Sequence, residues 1–219
     1  MISDHALRLQ VLDELAWEPM VNADSIGVTV HNGVVTLSGH LESYWQKRAA
    51  ETAIAGLRGV RAIADCIEVR LPDQVQRNDD EIAAAVADRL DWVGAIPRGA
   101  VKVLVEDGFI TLTGIVTHQY QREAAFRAVD PLWGVRGVAN QITIRGAQRE
   151  LGKADRVRED IRRAFARKGV LPESVQVEEQ DGTVTLSGSA RSLHERDIAL
   201  AAAWAAHGTT MVEDNIRIE

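Results

Sequence analysis

Apolar residues recur every fourth position near the start of the chain, as Leu7, Val11 and Leu15, and the spacing returns as Ile82, Val86 and Leu90 and as Val157, Ile161 and Phe165. The interval follows the period of an amphipathic helix, so a helix with one buried stripe opens three separate stretches. Asp4, Asp80 and Asp155 lie near the starts, where a carboxylate favours the helix dipole, and Pro19, Pro97 and Pro172 lie just beyond the ends. Alternation follows each stripe, as Ile26, Val28 and Val30, then Val101, Val103 and Val105, then Val175 and Val177, which places those side chains on one face of a strand. Next come Asn32-Gly33, Asp107-Gly108 and Asp181-Gly182. Such pairs tolerate the positive φ of a tight hairpin, so a second strand returns antiparallel with Val35, Leu37 and their equivalents inward. Ser43, His118 and Ser192 stand where a second helix begins; serine is a good N-cap and histidine a weaker one. That helix buries alanine-rich faces such as Ala50, Ala53, Ile54 and Leu57 before a third strand.

The pattern is one unit written three times. Gly33-Val34-Val35-Thr36-Leu37-Ser38-Gly39 recurs as Gly108-Phe109-Ile110-Thr111-Leu112-Thr113-Gly114 and as Gly182-Thr183-Val184-Thr185-Leu186-Ser187-Gly188. A closing block, Val60-x-x-Ile63-x-Asp65-x-Ile67-x-Val69, recurs from Val135 to Ile144 and from Thr209 to Ile218. A fixed period with scattered agreement marks a repeat architecture. The units span 1–72, 77–146 and 150–219. The order helix, strand, strand, helix, strand predicts an α+β fold in which two helices cover one face of a three-stranded mixed sheet, with a right-handed crossover. Units of roughly 70 residues bury only about 60% of their unfolded surface. With short polar connections between them, they are expected to pack as neighbours.

Composition narrows the function more than the fold. Hydrophobic residues make up 46% and charged residues 26% of 219 positions, a soluble globular balance. No apolar run is long enough to span a bilayer, and the first ten residues carry no export leader. One cysteine, Cys66, excludes an internal disulfide framework and a thiolate-rich metal site. A cytoplasmic location is expected, with peripheral membrane association open, or a periplasmic one if a leader was removed. The net charge of −7 argues against indiscriminate binding to polyanions.

The combination of G-x-[VI]-T-L-[ST]-G leading into a helix with the closing block resembles the BON domain, named for bacterial osmotic-stress periplasmic and nodulation proteins. The resemblance covers nearly the whole chain, three times. It implies an αββαβ fold, no catalytic activity, and a role in binding phospholipid membranes or other partners, often in stress protection or envelope maintenance. Some relatives carry a potassium-sensing role. Well-known members hold two units behind an export signal, or one unit joined to a peptidoglycan-binding module, and this chain differs in having three.

The residues themselves offer no repeated chemistry. The six histidines share no repeat position, Cys66 aligns with Gln141 and Asn215, and no phosphate-binding loop, dinucleotide motif or nucleophile elbow is present. Neither an enzyme nor a cofactor is expected. Gly33, Gly108 and Gly182 read as hairpin positions, and Gly39, Gly114 and Gly188 as strand ends.

Four groups of residues are candidates for binding. Trp17 and Trp92 share a repeat position at the end of the first helix, just off its apolar stripe. Such rings either cap the local core or present one wet edge to a membrane or a protein. In the third unit Arg167 takes that place, within a segment, 149–168, holding eight basic against four acidic residues. Its Arg156, Arg163, Arg167 and Lys168 either attract anionic lipid or form a solvated face laced by pairs such as Glu159 with Arg163. No aromatic platform accompanies it, so nucleic acid is not expected as a partner. Trp45, Tyr120 and His194, equivalent in the first turn of the second helix, are candidates for a domain or oligomer contact. Lys47, Arg122 and Arg196 recur on that helix as possible phosphate contacts, or as partners of nearby acids.

The resulting expectation is a non-enzymatic module associating with anionic phospholipid. The alternative is a protein-interaction or self-assembly scaffold, a possible homo-oligomer. A further alternative is ion sensing through backbone carbonyls, which leave no residue signature.

Overall fold

A computed structural model of the chain describes residues 2–73, 77–145, 154–168, 174–206 and 208–219, with side chains described outside 154–157 and 168. Unit one comprises α1 (Asp4–Trp17), β1 (Ile26–His31), β2 (Val34–Leu41), α2 (Tyr44–Ala55) and β3 (Ala62–Val69). Unit two repeats it as α3 (Asp79–Trp92), β4 (Val101–Glu106), β5 (Phe109–Val116), α4 (Gln119–Val129) and β6 (Gly137–Ile144). Unit three consists of α5 (Ala154–Lys168), β7 (Val175–Gln180), β8 (Thr183–Ala190), α6 (Leu193–Ala205) and β9 (Met211–Ile218). The α+β class and the αββαβ order therefore hold in all three.

Each sheet runs in chain order, with its first pair antiparallel and its second parallel. Three separate cores form between helices and sheets. In unit one Leu7, Val11 and Leu15 of α1 meet Val28, Leu37 and Ile54, all buried; Ile82 and Val86 do the same in unit two, and Ile161 and Phe165 in unit three. The apolar periods thus translate directly into the buried faces.

Two glycines per unit set the backbone. At the hairpins, Asn32 and Gly33 adopt φ of 50° and 76°, and the pairs 107–108 and 181–182 match them, the geometry of a type I′ turn. The later glycines correct the sequence reading, because Gly39, Gly114 and Gly188 lie inside β2, β5 and β8 and do not end them. Their φ values of 120°, 140° and 119° accompany a close backbone crossing: a Cβ would sit 2.1 Å from the Ser25 carbonyl oxygen, or 2.0 Å from those of Ala100 and Ser174. Only glycine fits such an approach.

Helix starts also differ from expectation. The caps of α1 and α3 are Ser3, which accepts from the Ala6 amide, and Asn78, which forms a reciprocal capping box with Glu81. The acids that matter are Asp4 and Asp79, not Asp80; each reaches across to the hairpin. Asp4 accepts from the amides of Asn32 and Gly33 at 2.8 and 3.1 Å, and Asp79 from those of Asp107 and Gly108 at 2.8 and 2.9 Å. Unit three has Ala154 at that place, and Glu179 of β7 accepts from the Gly182 amide instead. Asp155 and Pro172 lie outside the residues or side chains described. Ser43 and Ser192 cap α2 and α6 as expected. At His118 the buried Gln121 side chain accepts from the amides of Thr117 and His118.

The units pack through their second helices. Tyr44, the first residue of α2, packs on the core of unit two, and Leu193, the first residue of α6, packs on the core of unit one. These residues occupy one repeat position, shared by Gln119. One turn further, Arg48 lays its guanidinium 5.5 Å from the centre of the Phe126 ring of α4 and donates to Glu51 at 2.8 Å. Helix α6 also touches both α2 and α4. All three second helices therefore meet, and one kind of asymmetric contact recurs, from unit one onto unit two and from unit three onto unit one.

Candidate binding surfaces

The last residues of α1 and α3 are Trp17 and Trp92, and the chain turns away at extended Glu18 and Val93. Both rings lie off the stripe that faces the sheet. They are 84% and 87% exposed, so they do not cap the core. A residue that usually buries 150 Å² or more upon folding has been left in water twice, at equivalent places.

On α5, Ile161 and Phe165 are buried while Arg162, Arg163 and Arg167 face solvent. Arg163 pairs with Glu159 one turn earlier, an exposed pair worth a few tenths of a kcal/mol. Arg167 occupies the place of the two tryptophans. The side chains of Arg156 and Lys168 lie outside those described.

The three recurrent basic residues of the second helix are drawn inward, toward the third strand. Lys47 pairs with Asp65 at 2.5 Å and donates to the Ile67 carbonyl at 2.9 Å. Arg196 pairs with Asp214 at 2.5 Å. In unit two, where Asn140 replaces the acid, Arg122 donates to the Asn140 carbonyl at 3.3 Å and Asn140 returns a bond to the Arg122 carbonyl at 3.0 Å. These side chains lock helix to sheet within each unit.

The three equivalent rings go to different surroundings. Tyr120 is 58% exposed with its centre 5.3 Å from the His118 ring, and His194 is exposed on α6. Trp45 faces another unit. It lines a cleft of about 220 Å³ with Met20 and Leu71 of its own side and Leu132 and Trp133 of unit two. Trp133 carries no repeat signal, since Arg58 and His207 align with it, and only the packing of two units brings it opposite Trp45.

Near the helix junction, burial raises the pKa of Asp130, with Arg48 pulling the other way. At the exposed end of α1, the amides of Asn32 and then Gly33 hold Asp4 below the usual carboxylate range. Among the described residues there is no cluster of three or more His, Cys, Asp or Glu suited to a metal, and no helix long and apolar enough to cross a membrane.

Comparison with known proteins fits this architecture. The family model described as "BON domain" matches residues 3–70, 78–146 and 153–219. The chain is 28% identical over 145 residues to osmotically-inducible protein Y of Escherichia coli (strain K12), a match covering 64% of this chain and 72% of the relative. Among solved structures, the type III secretion protein CdsD of Chlamydia trachomatis is 14% identical, over 95% of this chain and 90% of that one, with a TM-score of 0.26. Its C-terminal domain gives 14% identity over the full length of both chains and a TM-score of 0.27. At such TM-scores these two likenesses carry no argument about fold or function.

Proposed function

The chain belongs to the BON domain family, and from that premise we propose that it is a stress-linked, non-catalytic binding module that docks peripherally on anionic phospholipid membranes. The observation that carries this reading is the pair of tryptophans at the ends of α1 and α3, 84% and 87% exposed. A ring with an apolar body and one polar N–H suits the boundary between headgroups and acyl chains. The exposed arginines of α5 supply the attraction to anionic headgroups, about 1 kcal/mol for each near the surface, falling off within a Debye length of about 8 Å at physiological salt. The stress link rests on the osmotically-inducible relative. Co-sedimentation with vesicles tests the proposal. Recovery with phosphatidylglycerol vesicles should exceed recovery with phosphatidylcholine and fall in the Trp17→Ala plus Trp92→Ala variant; equal recovery in all cases overturns it.

A second reading, a self-assembling scaffold, draws on a different surface. The sheet face of unit two turned away from its helices bears Leu104 and Phe109, 54% and 55% exposed, and the Phe109 ring lies over Gly137. Measurement of mass in solution decides it, since a strict monomer at high concentration rules out self-assembly through this face.

A further inference from the structure

We propose that the seam between the first two units is a binding site for a single-chain anionic amphiphile, with its tail between Trp45 and Trp133 and its head at Arg77 and Arg136. The seam has not closed on its apolar residues: Met20, Trp45 and Trp133 line the cleft while 48%, 43% and 59% exposed. Two units packed for stability alone gain by burying such surface, at about 25 cal/mol per Å². Beside it lies a polar cavity of about 320 Å³, and Leu71 and Gly134 line both. The two spaces therefore adjoin at these residues, one apolar and one polar. Together they fall in the range of about 300–1,000 Å³ typical of small-molecule sites.

The size and the charges specify the occupant. A cleft of about 220 Å³ lined by Met20, Leu71, Leu132 and two tryptophans has the size and apolar lining to take a single alkyl chain. In the polar cavity the Asp79 carboxylate is already taken by the amides of Asp107 and Gly108. Arg77 and Arg136 line the same cavity, and neither is held in an ion pair among the described residues. The stem of Arg136 runs beneath Gly108, at 3.2 Å from where a Cβ would stand, which fixes the base of that side chain. The acids nearby are Asp107 at the rim and Glu68, which is paired with Arg70 at 2.7 Å. The unused donors are guanidiniums, whose planar fork matches a carboxylate or a phosphate.

Calorimetric titration of the full chain tests this, using dodecanoate, lysophosphatidylglycerol and the neutral dodecyl maltoside, each below its micellar concentration. One-to-one saturable binding of an anionic amphiphile is expected, with dodecanoate alone binding indicating a free acid and lysophosphatidylglycerol a lipid-derived ligand. Trp133→Ala should weaken it about tenfold with either head, and Arg136→Gln about tenfold for the anionic heads only. Both side chains are exposed, and unchanged thermal unfolding checks that the variants fold. Absence of saturable binding, equal affinity for the neutral head, or indifference to both substitutions overturns the proposal. Trp17→Ala plus Trp92→Ala should leave dodecanoate binding unchanged, so this site and the membrane-docking surface stand or fall separately.

Discussion

Units one and two end their first helix in a tryptophan that stands in solvent, whereas unit three puts Arg167 there, on a helix rich in arginine. The same two units pin their hairpin with an aspartate from the first helix; unit three pins its own with Glu179 from the hairpin's own first strand. Beneath these differences the sheet order, the turn and the crossing at the second glycine are the same in all three. The comparison separates two kinds of constraint. Backbone geometry that only one residue type satisfies is kept in every copy, while a hydrogen bond that several residues can supply moves, and a surface with no packing role diverges in chemistry.

The largest effects should fall where the units agree. Gly39→Ala and Gly188→Ala each force a Cβ to 2.1 or 2.0 Å from a carbonyl oxygen, and each should cost about 3 kcal/mol in urea unfolding. A small loss in unit three alone would show that its backbone is under weaker constraint. Exchange of the divergent residues comes next. Trp17→Arg plus Trp92→Arg should make vesicle binding steeply salt-dependent, and Arg167→Trp should make it less so, with changes of about tenfold between 50 and 500 mM salt. If salt dependence is unmoved, the two surfaces do not serve one membrane. Removing a pin is milder: Asp79→Ala should lower the unfolding midpoint of unit two by about 5 °C.

The smallest effects are of opposite sign with pH. The native pKa of Asp4 is lowered by two amide donors, so its contribution is present above the ordinary carboxylate range and is lost as pH falls through the native value. The native pKa of Asp130, facing Tyr44 and Arg48 at the junction, is raised by burial. Its contribution is present at low pH and is lost as pH rises through that value. Asp4→Asn should therefore flatten the acid side of the stability profile. Asp130→Asn should instead raise stability near neutral pH, as read by thermal unfolding between pH 3 and 7.

Much of each unit was legible because its signals are local. A four-residue apolar interval yields α1 with Leu7, Val11 and Leu15 buried, and Asn32-Gly33 yields the turn. The candidate site was legible only in part. Trp17 and Trp92 could be paired from the repeat, but whether they capped the core depended on where the chain went after Glu18 and Val93. Lys47, Arg122 and Arg196 read as phosphate contacts or as partners of nearby acids, and acids or a carbonyl on the third strand, 18 residues on, draw them inward. Trp133 was invisible, having no equivalent in the other copies.

The letters alone determined three copies of one α+β unit, because turn, strand and helix preferences act between residues a few positions apart. Tertiary structure decided which first residues of the second helices enter a neighbouring core, as Tyr44 and Leu193 do, and which aromatic rings remain in water. The first outcome arises from contacts between units and the second from the path of the chain beyond each helix, and in both distance along the chain no longer indicates distance in space.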